Sequence, residues 1–397
     1  MQNTPRTNVP LPQNMKTSHV ILCSAIVLTS LGKSFAATIA EVEPPPPLPP
    51  QYTVTDLGSL GSISATGTSI NASGDVGGYL SDSLRVHVTG FTPARWAGTS
   101  GTIVGGLGGS DKQVLGINDS GQLAGIAQIA PPPGYNQGPY HAVRWIGTTA
   151  TDLGTLGGTS SFANGINASG QIVGSSYVAG DSIYHAVRWT GTTAADLGSL
   201  GDPNASSVGM AINTSGQVAG FLRLSPFTNT KHAVRWTGTT PADLGVGQGL
   251  AINDSGQVAG SNGLDHATVW TGTTATDLGT LGGSSSQANG INAFGVVVGM
   301  SFTTGDALDD PFIFIGGIMY DLNNLIVPGS NAFSIRVNGI NDSGQIVGSA
   351  RFGGEQHAIR LNPIVPVPEP SSALLALGSG AMLLLRRQRA KSQDVPS

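Results

Sequence analysis

Apolar and polar side chains alternate along this chain in short bursts of period two, each closed by glycine or by small polar residues. Residues 185–189, His-Ala-Val-Arg-Trp, send His185, Val187 and Trp189 to one face of an extended segment and Ala186 and Arg188 to the other. Three further bursts accompany it. Residues 162–167 and 171–178 flank Asn167-Ala168-Ser169-Gly170, which has the composition of a tight turn whose final glycine takes positive φ. Residues 195–200 follow the His-Ala-Val-Arg-Trp burst and end in glycines. The pattern predicts four short strands, and nothing between residues 51 and 363 carries a helical period.

The same set of bursts recurs. His-Ala-Val-Arg-Trp starts at His141, His185 and His232, a variant His-Ala-Thr-Val-Trp starts at His266, worn copies lie at 92–109 and 310–325, and a truncated one at 357–361. An Ile-Asn dipeptide marks each unit at Asn71, Asn118, Asn167, Asn213, Asn253, Asn292 and Asn341, with spacings of 47, 49, 46, 40, 39 and 49. Four strands in roughly 40–45 residues is the size of one propeller blade. The predicted fold is therefore all-β, a seven-bladed β-propeller of four-stranded blades. A linear array of small sandwiches is the alternative; a β-helix fits poorly, because its coils are shorter and lack hairpin turns. The variable loops at 131–139, 222–230 and 303–309 fall between second and third strands, which puts them on one face of a disc.

The repeats are out of phase with the chain ends. The seventh unit supplies strands at 337–341, 345–350 and 357–361 and then stops, whereas residues 52–60 hold a Thr-Asp-Leu-Gly strand before any Ile-Asn. An open array would leave both fragments with unpaired edges. A ring closed by the N-terminal strand solves both, and it sets Asp56 beside His357.

Composition narrows the function. Charged residues make up 10% of the chain, and residues 51–365 hold eleven Lys and Arg against nineteen Asp and Glu, so no basic surface for nucleic acid exists. The single cysteine, Cys23, falls in an N-terminal segment that reads as a signal peptide, residues 1–36, with a true start possible at Met15. There Lys16 opens a short basic region, residues 20–31 are apolar, and Ser34-Phe35-Ala36 is a small-x-small cleavage site. Residues 37–50 form a proline-rich linker, with polyproline spacing over 44–50. The propeller spans 51–365.

Seven co-ordinated copies, three of them opening on His-Ala-Val, resemble the HAF family of probable extracellular repeats, over nearly all of residues 51–363. That resemblance implies an exported bacterial protein and no particular reaction. At the other end Val367-Pro368-Glu369-Pro370, an apolar run at 371–385, and Arg386, Arg387 and Arg389 occur in order. Residues 366–397 thereby resemble the PEP-CTERM sorting signal, which implies cleavage by a membrane exosortase in a Gram-negative bacterium that makes exopolysaccharide. These fifteen mostly apolar residues are expected to form a short hydrophobic helix, less than the roughly 20 that span a bilayer, and the arginines hold that end in the cytoplasm. The precursor would be transiently anchored in the inner membrane, with signal peptidase and exosortase as its partners during export.

The repeated histidines stand eleven residues before aspartates: His141 and Asp152, His185 and Asp196, His232 and Asp243, His266 and Asp277. A residue recurring once per blade is spread around a disc and does not converge on one site. These pairs, with His357 and Asp56, read as structural hydrogen bonds that fix register and tautomer. The first copy loses both partners together, at Thr92 and Ile103; the sixth has Asp310 in the histidine slot and retains Asp321. All five tryptophans share one strand position and read as packing between blades. Arg95, Arg144, Arg188 and Arg235 face the other way, to pair with a carboxylate or cap loop carbonyls.

No catalytic residue, metal ligand or cofactor site is predicted. The propeller has one glutamate, Glu355, and a hydrolase would need paired carboxyls from off-repeat aspartates such as Asp111, Asp181, Asp202, Asp306 and Asp309. No Gly-x-Ser-x-Gly or His-Glu-x-x-His motif occurs. The predicted function is a non-catalytic binding or structural module of the cell envelope or exopolysaccharide matrix, with polysaccharide or envelope proteins as partners. An extracellular carbohydrate-active hydrolase on the same scaffold is the alternative.

Overall fold

The computed structural model describes residues 49–81, 90–135, 137–202, 204–224, 230–306 and 309–364. The third repeat shows the plan. Strands Gly157–Ile166, Ile172–Val178, Tyr184–Thr190 and Thr193–Gly198 pair antiparallel in chain order. The first is longer than 162–167, because its pairing with the second begins as early as Gly157 opposite Val178. The fourth stops at Gly198 and does not reach Leu200. Asp196 Oδ1 accepts from the Gly198 N–H at 2.7 Å, Gly198 takes φ +69° and Leu200 φ +52°, so the chain turns there. Gly170 closes the hairpin turn at φ +78°. Helix is confined, among the described residues, to the short 3-10 segments Thr304–Asp306 and Leu322–Leu325.

The other repeats follow the plan with two variations. Thr240–Ile252 is one continuous strand that ends the fourth module and begins the fifth. The seventh module consists of Phe333–Ile340, Ile346–Phe352 and Glu355–Pro363, and its fourth strand is Tyr52–Gly58, with Val54 opposite Leu361 and Thr55 opposite Arg360. That strand ends two residues before Leu60, which sits at φ +51° in the following turn.

A β-bulge recurs in every first strand. The residue three before each Ile-Asn asparagine has no partner in the second strand: pairing steps from Ala163–Gly174 to Gly165–Val173 and skips Asn164. The skipped residues elsewhere are Thr68, Leu115, Met210, Leu250, Asn289 and Asn338. Opposite each bulge stands a glycine, and a Cβ on Gly174 would lie 1.8 Å from the Phe162 carbonyl oxygen. The Ile-Val-Gly of the repeat is thus a steric requirement of the bulge, which bends the strand and turns its extra residue away from the ladder.

The asparagines join one module to the next. Each is at most 7% exposed, and its Oδ1 accepts the backbone N–H four residues on, closing its own turn. Its Nδ2 donates to the backbone carbonyl of the next repeat's asparagine, from Asn71 to Asn118 and onward to Asn341, at 3.0–3.3 Å. Asn341 Nδ2 then donates to the Asn71 carbonyl at 2.9 Å, so the series returns to its start. Bulge residues add a second tier: Thr68, Asn164, Asn289 and Asn338 donate to first-strand carbonyls of the following module, the last to Gly67. Arg188, Arg235 and Arg360 cap the turn-glycine carbonyls of Gly216, Gly256 and Gly74, each in the next module, whereas Arg95 pairs with Asp75.

Apolar packing follows the same neighbour-to-neighbour logic. Trp189 lies with Ile172 and Val187 of its own module against Ala124, Ala142 and Leu153 of the preceding one. Trp236 does likewise against Val173, Ala186 and Leu197. The five tryptophans are at most 1% exposed, which rules them out as a stacking platform for ligands. Small alanines on one face receive the large ring from the next, and Phe314 and Leu361 take the ring's place in the sixth and seventh copies.

Removing residues 51–61 leaves the outer edge of Glu355–Pro363 unpaired and deletes the fully buried Tyr52 and the buried Leu57. The expected loss is at least about 3–5 kcal/mol, by the cost of truncating buried large side chains. Urea unfolding followed by far-ultraviolet circular dichroism should show one transition shifted as a whole; a wild-type midpoint would contradict the tie.

Candidate functional site

The His–Asp pairs are formed within individual modules. Nδ1 of His141, His185, His232 and His266 lies 2.7, 2.8, 3.0 and 2.9 Å from a carboxylate oxygen of Asp152, Asp196, Asp243 and Asp277. His357 Nδ1 is 2.9 Å from both oxygens of Asp56, across 301 residues of sequence. Each aspartate also accepts the backbone N–H two residues on, at Gly154, Gly198, Gly245, Gly279 and Gly58. An aspartate on Nδ1 favours the tautomer that donates from that nitrogen, and Nε2 of His357 in turn lies 3.5 Å from a Glu355 carboxylate oxygen. Among the described residues no three His, Cys, Asp or Glu side chains gather as a metal site.

The off-repeat aspartates are engaged locally. Asp111 accepts from the Tyr140 hydroxyl at 2.6 Å and from the Phe91 N–H. Asp181, Asp202 and Asp306 accept the N–H groups of Thr159, Asn204 and Ser284. Asp309 pairs with Arg336 at 3.0 Å. In the sixth module burial, then the charges of Asp321 and Asp309, push the Asp310 carboxyl above its ordinary range. In the fifth, hydrogen bonds from the Gly279 N–H and from His266 outweigh burial and hold Asp277 below it.

Open space in the structure follows from the bulges. All seven bulge residues line one cavity of about 610 Å³, together with first-strand residues such as Thr66, Gln113 and Arg336. A second cavity adjoins it, and a third adjoins the second. The second, about 350 Å³, lies among Gln287, Arg336, Asp309 and Asp265; the third, about 450 Å³, among Gln248, Asp265, Lys231 and Arg223. Gln248, Ser261 and Asp265 are common to the two adjoining cavities, and Gln287, Asn289, Arg336 and Asn338 are shared with the first. Together they form a polar groove running from the fourth module to the seventh.

The groove exists where the repeat is shortened. The spacings of 40 and 39 are adjacent. The first reflects a brief Val246-Gly247 link in place of the longer connector, and the second reflects an Asn262–Asp265 turn in place of a longer loop. Both shortened segments line the 450 Å³ cavity. Arg223, Lys231, Asp265 and Arg336 are absent from the residues singled out by sequence. Their signal was available: Lys231 stands where Tyr140 and Tyr184 precede the histidine, and Arg223 where Gln128 and Tyr177 stand one residue before the end of the second strand.

Comparison with known proteins identifies a PEP-CTERM protein-sorting motif at residues 366–390. The chain is thus exported, processed by an exosortase and transiently held in a membrane. Val367, Pro368, Glu369, Pro370, Arg386, Arg387 and Arg389 lie outside the described residues, as do the signal peptide and most of the proline linker. Among the described residues no helix is long and apolar enough to cross a membrane. The HAF resemblance of the repeats is shown by no family match, and no curated protein matches the chain.

Solved structures similar to the chain include the β-propeller domain of the trilobed protease from Pyrococcus furiosus, at 8% identity and TM-score 0.49, covering 81% of this chain and 99% of that one. An acylaminoacyl peptidase from Pyrococcus horikoshii follows at 10% identity and TM-score 0.45, covering 79% of this chain and 53% of the other. A Trypanosoma rangeli sialidase shows 10% identity and TM-score 0.37, covering 76% and 54%. The chain spans about half the length of the latter two.

Replacing Asp310 with histidine should rebuild the pair with Asp321. A carboxyl raised in the folded state binds its proton more tightly there than when unfolded, so stability falls as pH rises through its titration range. D310H should therefore gain most near pH 6, where the wild-type carboxyl is ionised and the new imidazole still carries its proton, by under about 1 kcal/mol for a partly exposed pair, and less near pH 4. Thermal unfolding across pH 4–8 measures this; an equal shift at every pH would refute the carboxyl repulsion.

Proposed function

We propose that this chain is a surface-sorted, non-catalytic binding or structural module on a closed seven-bladed β-propeller of HAF-type repeats, working in the envelope or exopolysaccharide matrix of a Gram-negative bacterium. The series of asparagine hydrogen bonds that returns from Asn341 to Asn71 supports the seven-membered ring. So does the pairing of Tyr52–Gly58 with Glu355–Pro363. Four-stranded modules that bury their tryptophans against the preceding neighbour leave no free sheet face along the series.

The observation that carries the binding reading is the groove. It is open, polar and lined by amide, hydroxyl and charged side chains, with volumes of about 350 and 450 Å³ beside the larger cavity. Its carboxylates are poor candidates for glycoside hydrolysis, which needs two carboxyls free to face one bond. Asp309 is bound to Arg336, and the histidines are committed to aspartates of their own modules. The hydrolase reading keeps one support, that Asp265 and Asp309 line the same cavity.

Three outcomes test the proposal. The surface-released protein should end near Pro368-Glu369-Pro370, and a mass spectrum retaining residues 383–389 would contradict the processing. Neutralising Arg386, Arg387 and Arg389 should reduce membrane retention of the precursor. On a glycan array the purified full chain should bind a subset of glycans and release no reducing ends from them. Steady release of reducing sugar that is lost in a D265N variant would establish the hydrolase instead.

A further inference from the structure

Arg223 and Lys231 are directly opposite one another across the second and third strands of the fourth module. At the same place the third module pairs Tyr177 with Tyr184, edge to face with ring centroids 5.7 Å apart, and the second pairs Gln128 with Tyr140. The first, sixth and seventh modules pair Ser81 with Phe91, Phe302 with Asp309 and Arg351 with Gln356. Like charges directly opposed in a sheet are destabilising, and among the described modules this position carries two of them only here.

The rest of the site partly compensates. Lys231 Nζ donates to Gln248 Oε1 at 2.8 Å and sits 4.6 Å over the Phe221 ring. Burial, then the charge of Arg223, pulls the Lys231 ammonium below its ordinary range, against the opposing pull of Asp265. Arg223 Nε is buried without a hydrogen-bond partner among the described residues. Two cations, one desolvated and one short of an acceptor, border an open cavity of about 450 Å³. Among the described residues neither cation is paired directly with a carboxylate, although Asp265 lines the same cavity.

The neighbours describe a ligand that would bring a carboxylate to them. Gln248, Ser261 and Asn262 supply amide and hydroxyl groups beside the cations, a lining that matches hydroxyl-bearing carbons. Asp265 at the edge of the same cavity, and Asp309 farther along, would repel a uniformly charged polyanion such as nucleic acid, but they accept hydrogen bonds from hydroxyls. A polar chain with carboxylates spaced by hydroxyls satisfies both stretches. We infer that the groove binds an acidic saccharide, with one uronate carboxylate held between Arg223 and Lys231 and the following sugars running toward Arg336. This rests on the binding-module reading and deepens it by naming the ligand class.

The test is calorimetric titration of the full chain with an oligosaccharide carrying one uronate among neutral sugars and with its carboxyl-reduced neutral counterpart, at low and high salt. The double variant Arg223→Gln, Lys231→Tyr installs the pair already present in the second module, so its melting temperature should equal or exceed that of wild type. The acidic oligomer should bind the variant about tenfold more weakly or worse, and high salt should weaken wild-type binding. Unchanged affinity in the variant, or equal wild-type affinity for the neutral counterpart, would overturn the carboxylate assignment while leaving a glycan-binding module intact. Inorganic phosphate alone binding as tightly as the oligomer would make this a free-anion site and overturn the saccharide assignment. If neither oligomer binds and the array is blank, the binding-module reading fails as well.

Discussion

One buried asparagine per repeat does two jobs with one side chain. Its oxygen closes the turn of its own module, and its nitrogen reaches the backbone of the next. Neither group has water to fall back on, since the asparagines are buried. An unpaired polar group so placed costs about 1–3 kcal/mol, whereas a formed bond contributes only about 1. Each turn is therefore stable only with its neighbour present, and the neighbour's turn depends on the next. With no cysteine among residues 51–365 to staple the modules, cohesion rests on these bonds, on the arginine caps and on the tryptophans packed between sheets.

A steric constraint ties that scaffold to its cavities. Glycine opposite each bulge allows two residues to face one, and the extra residue is thrown out of the ladder. Polar extras, such as Asn164 and Asn338, bridge to the following module. Apolar extras, Leu115, Met210 and Leu250, line the shared cavity without that bond. The same backbone feature thus produces both inter-module ties and the lining of the 610 Å³ cavity.

Repetition also explains where a ligand site can arise. A side chain present in every module is spread evenly and stays structural, as the His–Asp pairs and tryptophans are. Chemistry concentrates where modules depart from the pattern. Shortening the fourth-to-fifth link and the fifth module's loop removes chain from one place, and the exposed flanks are where tyrosines give way to Arg223 and Lys231. A scaffold held by so many equivalent ties can carry one unfavourable like-charge pair.

Sequence alone determined the all-β class, the strand-turn-strand units, the turn glycines and the sorting signal, because each is written in local spacing. Period-two alternation, Asn-x-x-Gly and Pro-Glu-Pro are read within a few residues. The link between Asp56 and His357 was also legible, since the missing strand at one end matched the surplus strand at the other. Only the tertiary structure decided which residues share the groove. Arg223, Asp265 and Arg336 belong to three different modules, and their proximity depends on how sheets stack and where a shortened connector lets the surface sink. Strand limits were decided there as well: Gly198 ends its strand because Asp196 caps it, a hydrogen bond that no alternation pattern encodes.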